Sequence, residues 1–112
     1  MRTTNMTEKS TVKSAEKILK VLKALKGHSL SGVKSNDIAK SLKENPSQIY
    51  RALQTLVAEG FAQQLDDGSY ALGNTLVSIA HAHSDEIHRA QNHLTEHVQR
   101  IAAGANQIKK DA

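Results

Sequence analysis

The residues most suggestive of chemistry are histidines. Five of the six lie between His81 and His97, and His93-Leu94-Thr95-Glu96-His97 has the H-x-x-E-H form in which two imidazoles and a carboxylate serve zinc hydrolysis. On a helix His93 and His97 share one face, but no third ligand is evident, so the cluster reads as a chance grouping on a polar helix face, with an incidental metal site or a pH-sensitive interface as the alternatives. No phosphate-cradling glycine loop, no G-x-S-x-G nucleophile and no paired acids accompany it, and there is no cysteine. No catalytic residue, no metal site and no cofactor is expected, and the chain is not read as an enzyme.

A second set of residues has the chemistry of base recognition. In the segment from Asn45 to Gly60, Ile49, Ala52, Leu53, Leu56 and Val57 recur at helical spacing. At about 100° per residue, Ser47, Arg51, Gln54 and Ala58 fall on the opposite side, with Gln48 and Thr55 beside them. Glutamine can bond bidentately to adenine, arginine to guanine or phosphate, and serine to either. Tyr50 falls at the edge of the apolar face, where its ring can pack while its hydroxyl reaches a phosphate. The plainer alternative is an ordinary solvated helix surface.

Charge distribution favours the first reading. Residues 1–51 carry eleven Lys and Arg against four acids, whereas the remainder is mildly acidic. A basic front half implies a face turned towards phosphate rather than a uniformly solubilised surface. Lys34, Ser35, Asn36 and Lys43 are the candidate phosphate contacts around a short helix start. The lysines of the first helix are expected to add long-range attraction only.

These residues need a scaffold, and its punctuation is clear. A first helix is expected after Ser14 on Ala15, Ile18, Leu19, Leu22 and Leu25, stopped by Gly27. After a polar, flexible stretch from His28 to Lys34, Ser35 can cap a second helix burying Ile38, Ala39 and Leu42. Asn45 is the expected cap of the third, with Pro46 at its first position and Gln48 placed for a capping box. Two short helices joined by so tight a turn form a helix-turn-helix. Beyond Gly60 the period shortens to two, and Asp67-Gly68 between alternating runs predicts a β-hairpin. The fold class is therefore mainly α: a winged helix-turn-helix, three helices plus a β-hairpin wing, followed by a long C-terminal helix or helix pair. The wing tip, Asp66-Asp67-Gly68-Ser69, is acidic, so either it touches the DNA backbone only through Ser69 and main-chain N–H groups or it contacts another protein.

From Asn74 to about Lys110, Leu76, Ala80, His83, Ile87, Ala90, Leu94, Val98, Ile101, Ala105 and Ile108 form a heptad-like seam with one extra step near Leu94. Leu76, Ile79, Ile87, Leu94, Val98 and Ile101 are the candidate dimerisation residues, because one module covers too few base pairs for useful specificity. Packing of this segment back over the core is the alternative. The expected organisation is an N-terminal arm at 1–12, a DNA-binding domain at 13–73 and a helical dimerisation or linker region at 74–110.

The segments SAEKILKVLKALKG and SNDIAKSLKENPSQIYRALQTLVAEGFAQQLDDGSYALG, within residues 14–73, resemble the DNA-binding domain of IclR-type transcription regulators. Tyr50-Arg51-Ala52-Leu53, Leu56-Val57 before Gly60-Phe61, and Tyr70-Ala71-Leu72-Gly73 carry the likeness. Such regulators continue into a large effector-binding domain, whereas fewer than forty residues follow Gly73 here. The resemblance thus implies the DNA-binding module alone, with no small-molecule effector evident. The expected partners are double-stranded DNA and a second copy of the chain. No apolar run long enough for a membrane span and no signal-peptide pattern at Met1–Ser10 is present, so the expected location is cytoplasmic, on the nucleoid. The function expected is a sequence-specific regulator, more a repressor occluding a promoter than a metabolite sensor. Two alternatives are a protein-interaction adaptor on a winged-helix scaffold and an oligomeric DNA-packaging or replication accessory protein.

Overall fold

The computed structural model describes residues 10–111. Of the expected N-terminal arm, residues 1–9 lie outside them. The described chain contains α1 (Lys13–Ala24), α2 (Ser35–Leu42), α3 (Pro46–Ala58), β1 (Ala62–Gln64), β2 (Tyr70–Leu72) and α4 (Asn74–Asp111). It divides into two compact units, one running through Val77 and one from Ser78.

The core of the first unit forms where the apolar stripes of α1, α2 and α3 meet the wing. Val21, Leu25, Ile38, Ile49 and Leu53 are almost fully buried, joined by Ala39, Ala52, Leu56, Ala62 and Tyr70. On α1 the buried stripe differs from the expected one. Val21 and Leu25 are buried and Ile18 and Leu22 half-buried, whereas Ala15 is exposed and Leu19 is 53% exposed. Both stripes fit a 3.6-residue period, and the packing against α3 selects between them.

Helix ends follow local chemistry in most cases. The Asn45 side chain accepts from the Ser47 and Gln48 N–H groups at 2.8 and 3.4 Å, filling two of the orphan donors at the start of α3, and Pro46 occupies its first position. At its other end the Phe61 N–H donates to the Leu56 carbonyl and Gly60 to Val57, with Gly60 at φ 81°. This pair of bonds is the Schellman arrangement. The same pattern closes α2, where Glu44 donates to Ala39 and Lys43 to Lys40, but the left-handed residue is Lys43 at φ 56°. Ser35 is the first residue of α2 rather than its cap. Lys34 takes that position and contributes no side-chain capping bond. The first helix likewise begins on Lys13 behind an uncapped Val12, and it ends at Ala24, before Gly27.

The wing pairs Ala62 with Leu72, Gln63 with Ala71 and Gln64 with Tyr70 in antiparallel register. Five residues, 65–69, separate its strands, a wider connection than the expected Asp-Gly pair. Gly68 donates to the Leu65 carbonyl, Leu65 to the Ser69 carbonyl, and only Gly68 has positive φ. The stretch from His28 to Lys34 is more ordered than its composition implies. Val33 and Tyr70 exchange two backbone hydrogen bonds of 2.8 Å, adding a one-residue bridge beside the hairpin. Gly73 closes the wing in contact with Gly60: a Cβ there would stand 2.3 Å from the Gly60 carbonyl oxygen, so no larger residue fits without displacement.

The second unit consists of α4 from Ser78 onward, within one uninterrupted helix and not a helix pair. No residue of α4 is buried, and no helix among the described residues is long and apolar enough to cross a membrane.

Candidate nucleic-acid interface

The third helix divides cleanly. Its inner face is Ile49, Ala52, Leu53 and Leu56, none more than 5% exposed. On its outer face Ser47, Gln48, Tyr50, Arg51 and Gln54 are all exposed, and Tyr50 keeps 52% of its surface in solvent. The core therefore holds the helix while its polar side stays accessible. Between α1 and α3 runs a groove of about 550 Å³ bordered by Lys13, Lys17, Gln48, Arg51 and Gln54.

Several of these side chains already have partners. The Ser47 hydroxyl donates to the Asn45 side chain at 2.6 Å, which leaves its oxygen lone pairs for a ligand. Gln48 does not reach back to complete a capping box; its Oε1 accepts from the Lys17 ammonium. Lys17 in turn lies 3.2 Å from Glu44 in the turn between α2 and α3. Gln54 donates through Nε2 to the Tyr70 hydroxyl at 3.2 Å, tying the third helix to the wing. Lys17 and Tyr70 are thus neighbours of the interface that sequence reasoning missed. Both contacts join residues well separated in the chain, beyond the reach of periodicity.

Around α2, Asn36, Lys40 and Lys43 are exposed and border a second groove with Glu44 and Pro46. Ser35 is half-buried at the helix start. Lys34 is directed to the wing, where its ammonium donates to the Asp67 main-chain carbonyl. Ser69 does not belong to any contact surface. It is 2% exposed, and both its N–H and its hydroxyl donate to the Asp67 carboxylate, at 2.9 and 2.5 Å. Burial beneath the turn removes it from the expected phosphate contacts. Those two hydrogen bonds, with the Lys34 charge nearby, hold the Asp67 carboxyl below the usual carboxylate range. The acidity of the wing tip therefore has an internal use: Asp67 shapes the loop.

The histidines bring no metal centre together. Among the described residues no cluster of three or more His, Asp and Glu is placed to hold an ion, and His81 pairs with Asp85 at 3.6 Å along the helix. Of the dimerisation candidates, Leu76 is half-buried, while Ile79, Ile87, Leu94, Val98 and Ile101 are between 46% and 62% exposed.

Three helices, the second and third joined by a tight turn, followed by a two-stranded hairpin and a long helix, define a winged helix-turn-helix protein. Residues 14–66 match the IclR helix-turn-helix domain. Among solved structures, HmgR of Pseudomonas aeruginosa is 32% identical with a TM-score of 0.59, the match covering 67% of this chain and 32% of that one. The Thermotoga maritima IclR is 21% identical (TM-score 0.53, covering 60% and 27%). An IclR family transcriptional regulator from Brucella abortus is 19% identical (TM-score 0.58, covering 73% and 32%). The last two likenesses are of fold. The chain spans about a third of the length of these proteins. No curated protein matches it.

Proposed function

We propose that this protein is a sequence-specific, double-stranded-DNA-binding transcription regulator that acts as a dimer and represses by occluding a promoter. One observation carries the reading. In a segment that matches the IclR helix-turn-helix domain, Ser47, Gln48, Tyr50, Arg51 and Gln54 stand exposed on one side of a helix whose other side is locked in the core. The first turns of such a helix meet base edges in the major groove. In this reading Arg51 and Gln54 read bases, and Ser47 and Tyr50 contact base or phosphate. Lys43, Asn36 and the start of α2 at Ser35 hold phosphate, and Lys34 fixes the wing while lending charge.

The domain at 13–73 is the reader, and the region at 74–110 joins two copies. Support for the second part comes from α4, which leaves Ile87, Leu94, Val98 and Ile101 on a heptad-like seam and about half or more exposed. Apolar surface of that kind is stabilised by a partner, and a helix with no buried residue gains little from packing within its own chain.

The test is selection of bound fragments from random duplex DNA at near-physiological salt. An enriched inverted repeat is the expected result, and Arg51→Ala should relax the preference at one base pair of each half-site by about 1–3 kcal/mol. Recovery of fragments without any shared sequence would refute the reading.

A further inference from the structure

The contact between Lys17 and Gln48 bears on which base this helix selects. A glutamine that reads adenine uses both ends of its amide: Oε1 accepts from the N6 amino group while Nε2 donates to N7. Here Oε1 is engaged by the Lys17 ammonium. An ammonium carries donors and no acceptor, so the group it meets must be the amide oxygen, and chemistry itself fixes which way the amide points. Lys17 is in turn anchored by Glu44 at 3.2 Å, with the two side chains each about one-third exposed. The amide is thereby held between α1 and the turn that precedes its own helix. What Gln48 offers outward is its Nε2 hydrogens. A base donor approaching Oε1 would meet the positive charge already there.

We infer that Lys17 is a positioning residue that turns Gln48 into a donor-only reader, selecting the acceptor edge of guanine (O6 and N7) over the mixed edge of adenine. This inference rests on the proposed DNA-binding function. It adds a specificity determinant on α1, outside the recognition helix, with Glu44 as its anchor.

The test repeats the random-duplex selection with four proteins. Gln48→Ala should lose preference at one base pair of the half-site, and this identifies the pair that Gln48 faces. In the wild type that pair should be guanine on the contacted strand, favoured over adenine by about fivefold or more. Lys17→Met keeps most of the side-chain stem and removes the charge. It should abolish that preference or turn it to adenine at this pair alone, leaving the rest of the motif unchanged. Lys17→Arg, which retains donors without acceptors, should keep guanine. Comparison of far-ultraviolet circular dichroism and thermal midpoints verifies that each variant is folded.

A Lys17→Met motif identical to the wild type overturns the inference while the DNA-binding reading stands. So does a uniform loss of affinity with a shallower salt dependence, which would make Lys17 a phosphate contact. A Gln48→Ala motif unchanged everywhere also overturns it. If the wild type enriches no motif at all, the functional reading and this inference fall together.

Discussion

Lys43 and Asp67 show how single residues are committed to turns at the edge of the proposed interface. Lys43 adopts a left-handed backbone, φ 56°, to complete the cap of α2. For a side chain with a Cβ that conformation is disfavoured by about 1–2 kcal/mol. Lys43→Gly should therefore raise unfolding stability by about 0.5–1 kcal/mol in urea titrations, after allowance for the greater freedom of glycine in the unfolded chain. If the lysine neutralises a phosphate, the same variant should reduce the salt slope of DNA binding by about 0.9. A stabilised protein with weakened binding would separate the two roles.

Asp67 has a lowered folded-state pKa, caused first by the Ser69 hydroxyl bond and then by the Ser69 N–H. A carboxylate with a depressed pKa stabilises the fold above its unfolded value, near 3.8, and that contribution is lost as pH falls through the lower folded value. The wing should accordingly keep its structure from neutral pH down to about 4 and loosen only below it. Amide exchange or chemical shifts of Leu65, Gly68 and Ser69 followed over pH would register this. Loosening near pH 6 would contradict the assignment.

At the scale of elements, α3 is delimited by its own sequence at both ends, with Asn45 and Pro46 at the start and Gly60 beyond the last turn. Gly60 also lies against α4, since a Cβ there would approach the Thr75 hydroxyl to 2.1 Å, and its carbonyl accepts from the Thr75 N–H. Gly60→Ala should thus cost about 2 kcal/mol or more, from the left-handed backbone together with the displacement of Thr75. Asn45→Ala, which removes a cap without a clash, should cost about 1 kcal/mol. Thermal or urea unfolding of the two variants ranks them, and equal losses would argue against the close approach at Thr75.

For the molecule as a whole, affinity should be dominated by phosphate neutralisation. With Lys43 and neighbouring cations covering about four to six phosphates in each half-site, log affinity should fall against log salt with a slope of very roughly −4 to −5 per half-site. Fluorescence anisotropy on the selected repeat measures it. A slope near zero would leave the basic front half of the chain without its proposed use.

Periodicity and local chemistry specify the element order, the capped ends of α3, the turn between α2 and α3, and the amphipathic division that sets Arg51 and Gln54 opposite Ile49 and Leu53. These rest on the helical and strand periods and on residues that act within a few positions of themselves, so a linear reading reaches them. Tertiary packing alone decided which stripe of α1 is buried, favouring Val21 over Leu19, and that Val33 pairs with Tyr70. It also withdrew Ser69 beneath the loop, turned Lys34 towards the wing, and joined Lys17 to Gln48 across 31 positions. Long polar side chains choose partners by three-dimensional proximity and charge, and no periodic pattern records that choice.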